Sequence, residues 1–171
     1  MRIYLVGFMG SGKSTLGQRV ATAFHVPCFD TDSVLESQSG MTILDIFACH
    51  GEEYFRHLEA DVLRQTTFYE KSIIATGGGL PCYGDNMSWM KEKGITMYLE
   101  WPEDVIMLQL MKERASRPLI SNLTETDARF KIMELLRLRK PIYEQSAITL
   151  EMKGEEEADY KLLEKACTYI W

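Results

Sequence analysis

The fold is decided by the stretch Gly7-Phe8-Met9-Gly10-Ser11-Gly12-Lys13-Ser14-Thr15, which matches the phosphate-binding pattern G-x-x-x-x-G-K-[ST]. Glycines let the backbone curl so that its N–H groups converge on phosphate oxygens, and the following helix adds its positive N-terminal end. The lysine reaches the β- and γ-phosphates, and the serine hydroxyl is a ligand for Mg²⁺. The motif predicts that the chain binds a nucleoside triphosphate.

The flanking residues have the patterns that this motif requires. The apolar run Ile3–Val6 before it is typical of a buried parallel strand. After it, Leu16, Val20, Ala23 and Phe24 recur at helical spacing. The alternative, a chance glycine-rich turn, does not explain why a strand precedes the loop and a helix follows it.

Composition limits the class of protein and its compartment. The 171 residues predict one domain, and a net charge of −6 argues against a nucleic-acid partner. The four cysteines show no C-x-x-C spacing and form no zinc pattern with the three histidines, so we expect free thiols in a reducing compartment. We also expect no signal peptide, because a core strand begins the chain, and no membrane span, because no apolar run approaches ~20 residues. These observations predict a cytoplasmic protein.

Strand and helix patterns alternate along the rest of the chain. We therefore expect a three-layer α/β/α domain over residues 1–171, built on a five-stranded parallel sheet. The predicted strands are 3–6, 26–29, 72–76, 95–100 and 147–150.

Three of the predicted helices have recognisable boundaries. Thr42 with Asp45 predicts the start of one helix, and a second follows the break at Gly51, from about 52 to 69. Thr124 with Asp127 starts a long helix. For this helix we predict an apolar face that contains Phe130, Met133, Leu136 and Leu138.

Polar and glycine residues follow three of the predicted strands. Asp30 and Asp32 come after the second strand, where α/β sheets bind ligands, although Asp32 or Ser33 could instead simply cap the next helix. Glycines 77–79 follow the third strand and allow a ligand to approach the backbone, the alternative being a flexible turn. Glu100, at the end of the fourth predicted strand, could be the acidic residue of a Walker-B strand, but because Trp-Pro follows at once we interpret it as a turn residue. No other strand ends in the apolar-apolar-Asp form, so we assign the second metal contact to Asp30.

Three arginines lie far apart in sequence on elements that could converge near the phosphate loop. Arg56 and Glu59 are neighbours on a helix, where an ordinary surface ion pair is the alternative interpretation. Arg117 lies in a basic break between two helices, which is typical either of a mobile lid over phosphates or of a solvated loop. Arg139 is the third.

With these motifs the chain resembles the shikimate kinase family. The resemblance rests on the phosphate loop, D-T-D at 30–32, F-R-x-x-E at 55–59, G-G-G at 77–79, R-P-L at 117–119 and R-x-P-x-Y at 139–143, in the family's order and over nearly the whole chain. It implies a P-loop architecture of the nucleoside-monophosphate-kinase type, with substrate-binding helices at about 31–69 and a short lid at about 113–124. It further implies a monomeric, Mg²⁺-dependent enzyme that transfers the γ-phosphoryl group of ATP to the 3-hydroxyl of shikimate, in aromatic amino-acid biosynthesis.

The resemblance also implies roles for individual residues. Lys13, Asp32 and Arg117 would be catalytic, and Ser14 and Asp30 would hold Mg²⁺. Glu59 would orient Arg56. The implied ATP contacts are Gly10, Ser11, Gly12, Lys13, Ser14, Thr15, Arg114 and Arg117. The implied shikimate contacts are Asp32, Phe47, Phe55, Arg56, Glu59, Gly77, Gly78, Gly79 and Arg139.

Two segments depart from the family pattern. Only two residues separate Arg114 from Arg117, where many relatives have a longer lid, and the turn at 152–157 is mostly acidic where relatives have a basic residue near adenine. Two alternative functions make different demands on the sequence. A gluconate kinase would share the loop and the lid but would not need two carboxylate-binding arginines beside Asp32. A GTPase-like switch would need N-K-x-D and D-x-x-G, and neither string occurs.

Overall fold

The computed structural model describes residues 1–171 and contains one all-parallel, five-stranded sheet, which confirms the predicted fold class. The strands are β1 Arg2–Val6, β2 Cys28–Asp30, β3 Ser72–Ala75, β4 Gly94–Glu100 and β5 Ile148–Glu151, in the order β2-β3-β1-β4-β5. The helices are α1 Lys13–Ala23, α2 Thr31–Ser39, α3 Ile43–Gln65, α4 Asn86–Lys93, α5 Glu103–Lys112, α6 Glu125–Tyr143 and α7 Glu156–Thr168. Short 3₁₀ helices occur at Thr66–Phe68, Leu80–Cys82 and Arg114–Ser116.

Alternate side chains of the central strand β1 enter two separate apolar layers, as the period of a strand requires. Ile3 and Leu5 pack against α1 and α7, whereas Tyr4 and Val6 pack against α4, α5 and α6. All four residues are fully buried. A third, smaller cluster lies between α2 and α3 and includes Phe55.

Side-chain oxygens fix the starts of α2, α3 and α6. Asp30 accepts hydrogen bonds from the backbone N–H groups of Asp32 and Ser33, each at 3.0 Å, so it is Asp30 that caps α2. The alternative cap at Asp32 or Ser33 is therefore wrong. The predicted starts of α3 and α6 are confirmed, because Thr42 and Thr124 each accept from the N–H group three residues later.

The predicted break at Gly51 is confirmed, whereas the predicted apolar face of α6 is wrong. The break at Gly51 is confirmed as a kink inside α3, where the backbone is not helical (φ 81°, ψ 174°). The predicted apolar face of α6 is wrong, because Phe130, Met133 and Leu138 are exposed. The face that packs inward contains instead Ala128, Ile132, Leu135, Leu136, Arg139 and Tyr143.

The strand order places the polar segments at one edge of the sheet. β2, β3 and β1 are adjacent, and their carboxyl ends lead into Asp30, the glycines 77–79 and the phosphate loop. In parallel sheets this edge is where ligands bind. No helix of the chain is both long and apolar enough to cross a membrane.

Candidate active site

Two adjoining cavities open at this edge. The loop cavity, of about 270 Å³, is lined by residues 9–15, Asp30, Asp32, Thr76, Gly77, Gly78, Gln109, Glu113 and Arg117. The helix cavity, of about 330 Å³, lies between α2, α3 and the glycine loop, and every predicted substrate contact lines it. Its further lining residues are Met9, Glu36, Thr42, Ile43, Leu44, Ser116, Arg117, Pro118, Leu119. The two cavities share a wall formed by Met9, Asp32, Gly77, Gly78 and Arg117.

The phosphate loop surrounds the ammonium group of Lys13. Gly12, the N-cap residue before α1, has a left-handed backbone (φ 67°), which lets the loop turn back on itself. Lys13 Nζ donates to the carbonyl oxygens of Gly7 at 2.9 Å and Phe8 at 2.7 Å, and to Ser11 Oγ at 2.9 Å. Burial lowers the pKa of Lys13 to about 8, while the nearby carboxylates of Asp32 and Asp30 act in the opposite direction. A cation is thus held where polyphosphate would enter.

Ser14 and Asp30 are brought together across the loop cavity. The Ser14 hydroxyl donates to Asp30 Oδ2, while Asp30 Oδ1 is used by the cap of α2. A hydroxyl and one carboxylate are the hard oxygen ligands that Mg²⁺ prefers, and Mg²⁺ usually takes its remaining ligands from substrate phosphates and water. The donor set fits magnesium.

Asp32 lies on the wall that the two cavities share. Its Oδ1 atom is buried and has no hydrogen-bond partner. Burial raises the pKa of Asp32 to about 6, and the neighbouring charge of Asp30 adds to the effect, while Lys13 and Arg117 oppose it. An unsatisfied buried carboxylate is unfavourable unless a ligand donates to it. Asp32 is therefore placed to accept a proton or a hydrogen bond from a bound molecule.

Arg56 is buried between two carboxylates of its own helix. Its Nη1 donates to Glu59 at 2.5 Å, and its Nη2 donates to Glu52 at 2.8 Å. The Arg56 and Glu59 residues are 8% and 2% exposed, so this is not the surface ion pair of the alternative interpretation. Burial raises the pKa of Glu59 to about 7 even though Arg56 opposes the shift.

Arg139 is a buried cation without a carboxylate partner. The residue is 8% exposed, its guanidinium lies 5.7 Å from the centre of the Phe8 ring, and no carboxylate oxygen lies within 4.0 Å. Both arginines line the helix cavity beside Gly79. A Cβ atom at Gly79 would lie 2.6 Å from Arg56 Cζ, so any larger residue here would force the Arg56 guanidinium to move. The arrangement offers an anion site with free N–H donors.

Hydrogen bonds from two neighbouring elements fix the glycine loop. Gly77 N donates to Thr31 Oγ1 at 2.9 Å, and the buried Tyr143 hydroxyl donates to the Gly78 carbonyl at 2.5 Å. Sequence reasoning assigned no role to either partner. A signal for Tyr143 was present, because it is the last residue of the R-x-P-x-Y motif.

Apolar walls and one further cation complete the cavities. The rings of Phe47 and Phe55 lie 4.8 Å apart and line the helix cavity. Arg117 reaches both cavities, donates to Glu113 at 2.5 Å, and has a buried Nε without a partner. Arg114, in contrast, lines neither cavity. Sequence reasoning assigned no role to Glu113, which lies at the start of the predicted lid at about 113–124.

Comparison with known proteins agrees over almost the whole chain. A sequence model of the family described as shikimate kinase matches residues 9–170. A shikimate kinase of Bacteroides fragilis is 34% identical over 170 residues, covering 96% of this chain and 95% of that protein. The crystal structure of shikimate kinase from Bacteroides thetaiotaomicron is similar with a TM-score of 0.88, 31% identity and 98% of both chains covered. The structure of shikimate kinase from Acinetobacter baumannii in complex with shikimate has a TM-score of 0.87 at 31% identity, covering 98% of this chain and 93% of that one.

Proposed function

We propose how the two cavities divide the reaction in this chain, which belongs to the shikimate kinase family and is a phosphotransferase that acts on a hydroxyl group. The acceptor, shikimate, occupies the helix cavity, and ATP occupies the loop cavity. The γ-phosphoryl group then crosses the shared wall to the 3-hydroxyl, giving shikimate 3-phosphate and ADP. The single observation that supports this division best is the pair of unsatisfied groups in the helix cavity: the unpaired Arg139 cation and the orphaned Asp32 oxygen.

The acceptor is held at its two chemically different ends. Arg139 and the remaining N–H donors of Arg56 bind the carboxylate, because a planar guanidinium matches a carboxylate with paired hydrogen bonds. Glu59 keeps Arg56 in place as a positioning residue, and Phe47 and Phe55 cover the ring. Asp32 accepts from the attacking hydroxyl, and the backbone of Gly77, Gly78 and Gly79 closes the other side.

The phosphoryl group is stabilised from the loop cavity. Phosphoryl transfer passes through a loose transition state, so positioning and charge matter more than base catalysis. Lys13 exchanges its loop acceptors for phosphate oxygens, and Arg117, on the shared wall, neutralises the charge that develops there. Ser14 and Asp30 would hold Mg²⁺, which when bound supplies charge neutralisation on the β- and γ-phosphates. Asp32 orients the hydroxyl and accepts its proton late in the transfer.

The remaining assignments concern the chain as a whole. We propose one kinase domain over residues 1–171, with acceptor-binding helices at about 31–69 and a lid at about 113–124 that carries Arg117. An adenine contact by Arg114 requires the lid to move, because Arg114 lines neither cavity. The four cysteines are free thiols, which supports a cytoplasmic location. We also propose that the chain acts as a monomer.

The test is a coupled assay of ADP release from MgATP with and without shikimate. We expect shikimate-dependent turnover that is lost in Asp32→Asn. Stimulation by gluconate or another polyol acid but not by shikimate would refute the proposed acceptor and leave only the phosphate loop. Hydrolysis of GTP without any acceptor would instead favour a nucleotide switch.

A further inference from the structure

We propose that Glu113 is a positioning residue that holds the Arg117 guanidinium at the wall shared by the two cavities and away from Asp32. This inference rests on the proposed role of Arg117, which is to neutralise the charge of the transferring phosphoryl group. Glu113 lies outside the motifs by which the chain resembles its family, and the proposal gives it a part in the reaction.

The backbone of Arg117 is held by the core, but its side chain is not. The Arg117 carbonyl oxygen accepts from the N–H groups of Ile120 at 3.0 Å and Ser121 at 2.8 Å. Ile120 is fully buried in the same apolar layer as Leu110 of α5. The side chain of Arg117, in contrast, is 31% exposed. An arginine side chain samples many rotamers unless a contact selects one.

Glu113 provides the contact that selects one. It directly follows α5, and the 3₁₀ helix Arg114–Ser116 turns the chain so that Glu113 Oε2 accepts from Arg117 Nη2 at 2.5 Å. The other carboxylate oxygen, Oε1, accepts from the side-chain amide of Gln109, one turn earlier in α5. Both oxygens of Glu113 are therefore used, and the carboxylate ties Arg117 to a regular helix.

The contact with Glu113 leaves most of the Arg117 guanidinium free to bind phosphate. A guanidinium has five N–H donors, of which Glu113 uses one on Nη2, while Nε is buried and has no partner. A buried donor without a partner is unfavourable until a ligand accepts from it. Gln109, Glu113 and Arg117 all line the loop cavity, which is the proposed ATP site. Glu113 can therefore keep its contact while Arg117 donates to a phosphate oxygen.

Asp32 is the other carboxylate within range of Arg117. Both residues lie on the shared wall, and while burial raises the pKa of Asp32, Arg117 is close enough to oppose the shift. No Asp32 oxygen lies within 4.0 Å of an Arg117 nitrogen, and Asp32 Oδ1 has no hydrogen-bond partner. An Arg117–Asp32 pair would occupy both the cation that the phosphoryl group needs and the carboxylate that the attacking hydroxyl needs. Glu113 thus keeps these two groups apart.

The experiment measures kcat/KM for shikimate, at saturating MgATP, in Glu113→Gln and Glu103→Gln. Glu103 is the matched control, because it is exposed, lies in the adjoining helix α5 and makes no ion pair. The side chains of Arg117 and Glu113 are 31% and 35% exposed. We therefore expect kcat/KM to fall about three- to fivefold in Glu113→Gln, the upper part of the range for an exposed ion pair. Glu103→Gln should retain the wild-type value.

A double-mutant cycle shows whether Glu113 acts through Arg117. Arg117→Ala should lower kcat/KM by about 100-fold or more, as the loss of a donor to the transition state does. When Glu113→Gln is added to Arg117→Ala, kcat/KM should change by less than about twofold, because the contact has already been removed. A merely structural role of Glu113, such as ending α5, would lower kcat/KM by the same factor with either residue at position 117.

Three results would overturn the inference. Wild-type kcat/KM in Glu113→Gln would mean that Arg117 reaches its place without Glu113, and a higher value would mean that Glu113 withholds Arg117 from the reaction. Equal losses in the two backgrounds of the cycle would leave Glu113 only a structural role. Wild-type kcat/KM in Arg117→Ala would instead refute the role of Arg117 on which the inference rests. A wild-type enzyme without shikimate-dependent turnover would refute the proposed function itself, a result distinct from all of these.

Discussion

Replacing Arg139 by alanine should raise KM for shikimate strongly and leave kcat almost unchanged. Arg139 is 8% exposed, has no carboxylate oxygen within 4.0 Å and lines the helix cavity. Its guanidinium N–H groups can therefore donate to a bound ligand. A hydrogen bond to a charged group contributes about 1.5–3 kcal/mol. Its loss corresponds to a rise in KM of about 10- to 150-fold. The contact exists before and during transfer, which is why the effect belongs in KM.

The assay is the initial rate of shikimate-dependent ADP release at saturating MgATP, with two comparison variants. Arg137→Ala removes an exposed arginine from the same helix and should change neither constant. Arg139→Lys keeps the charge but not the planar fork, so its KM should lie between those of the wild type and the alanine variant. Thermal unfolding should show that Arg139→Ala is folded, because the substitution leaves no protein carboxylate unpaired. A KM within twofold of wild type in folded Arg139→Ala would refute the placement of the carboxylate.

Three further predictions concern the rest of the site. Gly79→Ala places a Cβ atom 2.6 Å from Arg56 Cζ, so KM for shikimate should rise and urea unfolding should show a loss of about 1–3 kcal/mol; wild-type values for both would contradict the close approach. Burial raises the pKa of Asp32 from 3.8 to about 6 in the folded state. As pH rises, the carboxyl group therefore ionises first in the unfolded state, and the wild type loses stability between about pH 4 and 6. Asp32→Asn should therefore melt above the wild type at pH 7 and closer to it at pH 4, and a difference independent of pH would show that ionisation is not the cause. Asp30→Asn keeps a capping oxygen for α2 but loses the charge next to Ser14. Its melting temperature should stay near the wild-type value while the Mg²⁺ concentration for half-maximal rate rises about tenfold; an unchanged Mg²⁺ requirement would remove Asp30 from the proposed metal site.

The fold could be predicted because local patterns agree with it. The strand before the phosphate loop, the loop itself and the helix after it form one unit, and the capping residues Thr42 and Thr124 mark helix starts directly. The predicted strands differ from the observed ones by at most two residues at either end. The site residues beside β1, β2 and β3 meet because parallel strands bring their carboxyl ends to one edge.

The apolar face of α6 is predicted wrongly because a polar functional residue lies on the face that packs inward. The buried stripe of α6 includes Arg139, so a search for apolar spacing alone selected Phe130, Met133 and Leu138 on the outer side. The alternative interpretation, a cap of α2 at Asp32 or Ser33, is wrong for a different reason. The last residue of β2 decides which carboxylate caps the helix, and strand ends cannot be located to one residue from sequence.

Local sequence patterns could not predict contacts that depend on how helices pack or on where the chain bends. The contact between Tyr143 and the Gly78 carbonyl joins residues 65 positions apart, and it depends on how α6 packs on the sheet. The contact of Glu52 with Arg56 is local, but it depends on the direction that the chain takes after the kink at Gly51. Spacing alone could not distinguish that contact from an ordinary helical ion pair.

The shared wall of Met9, Asp32, Gly77, Gly78 and Arg117 has a consequence for inhibitor design. Since no helix or strand separates the cavities, one compound could fill both through a linker of only a few atoms. A bisubstrate compound of this kind, with a ring carboxylate at one end and a polyphosphate at the other, would order both halves in a single binding event. Its affinity should exceed that of either half by a large factor, because the second half binds at high effective concentration.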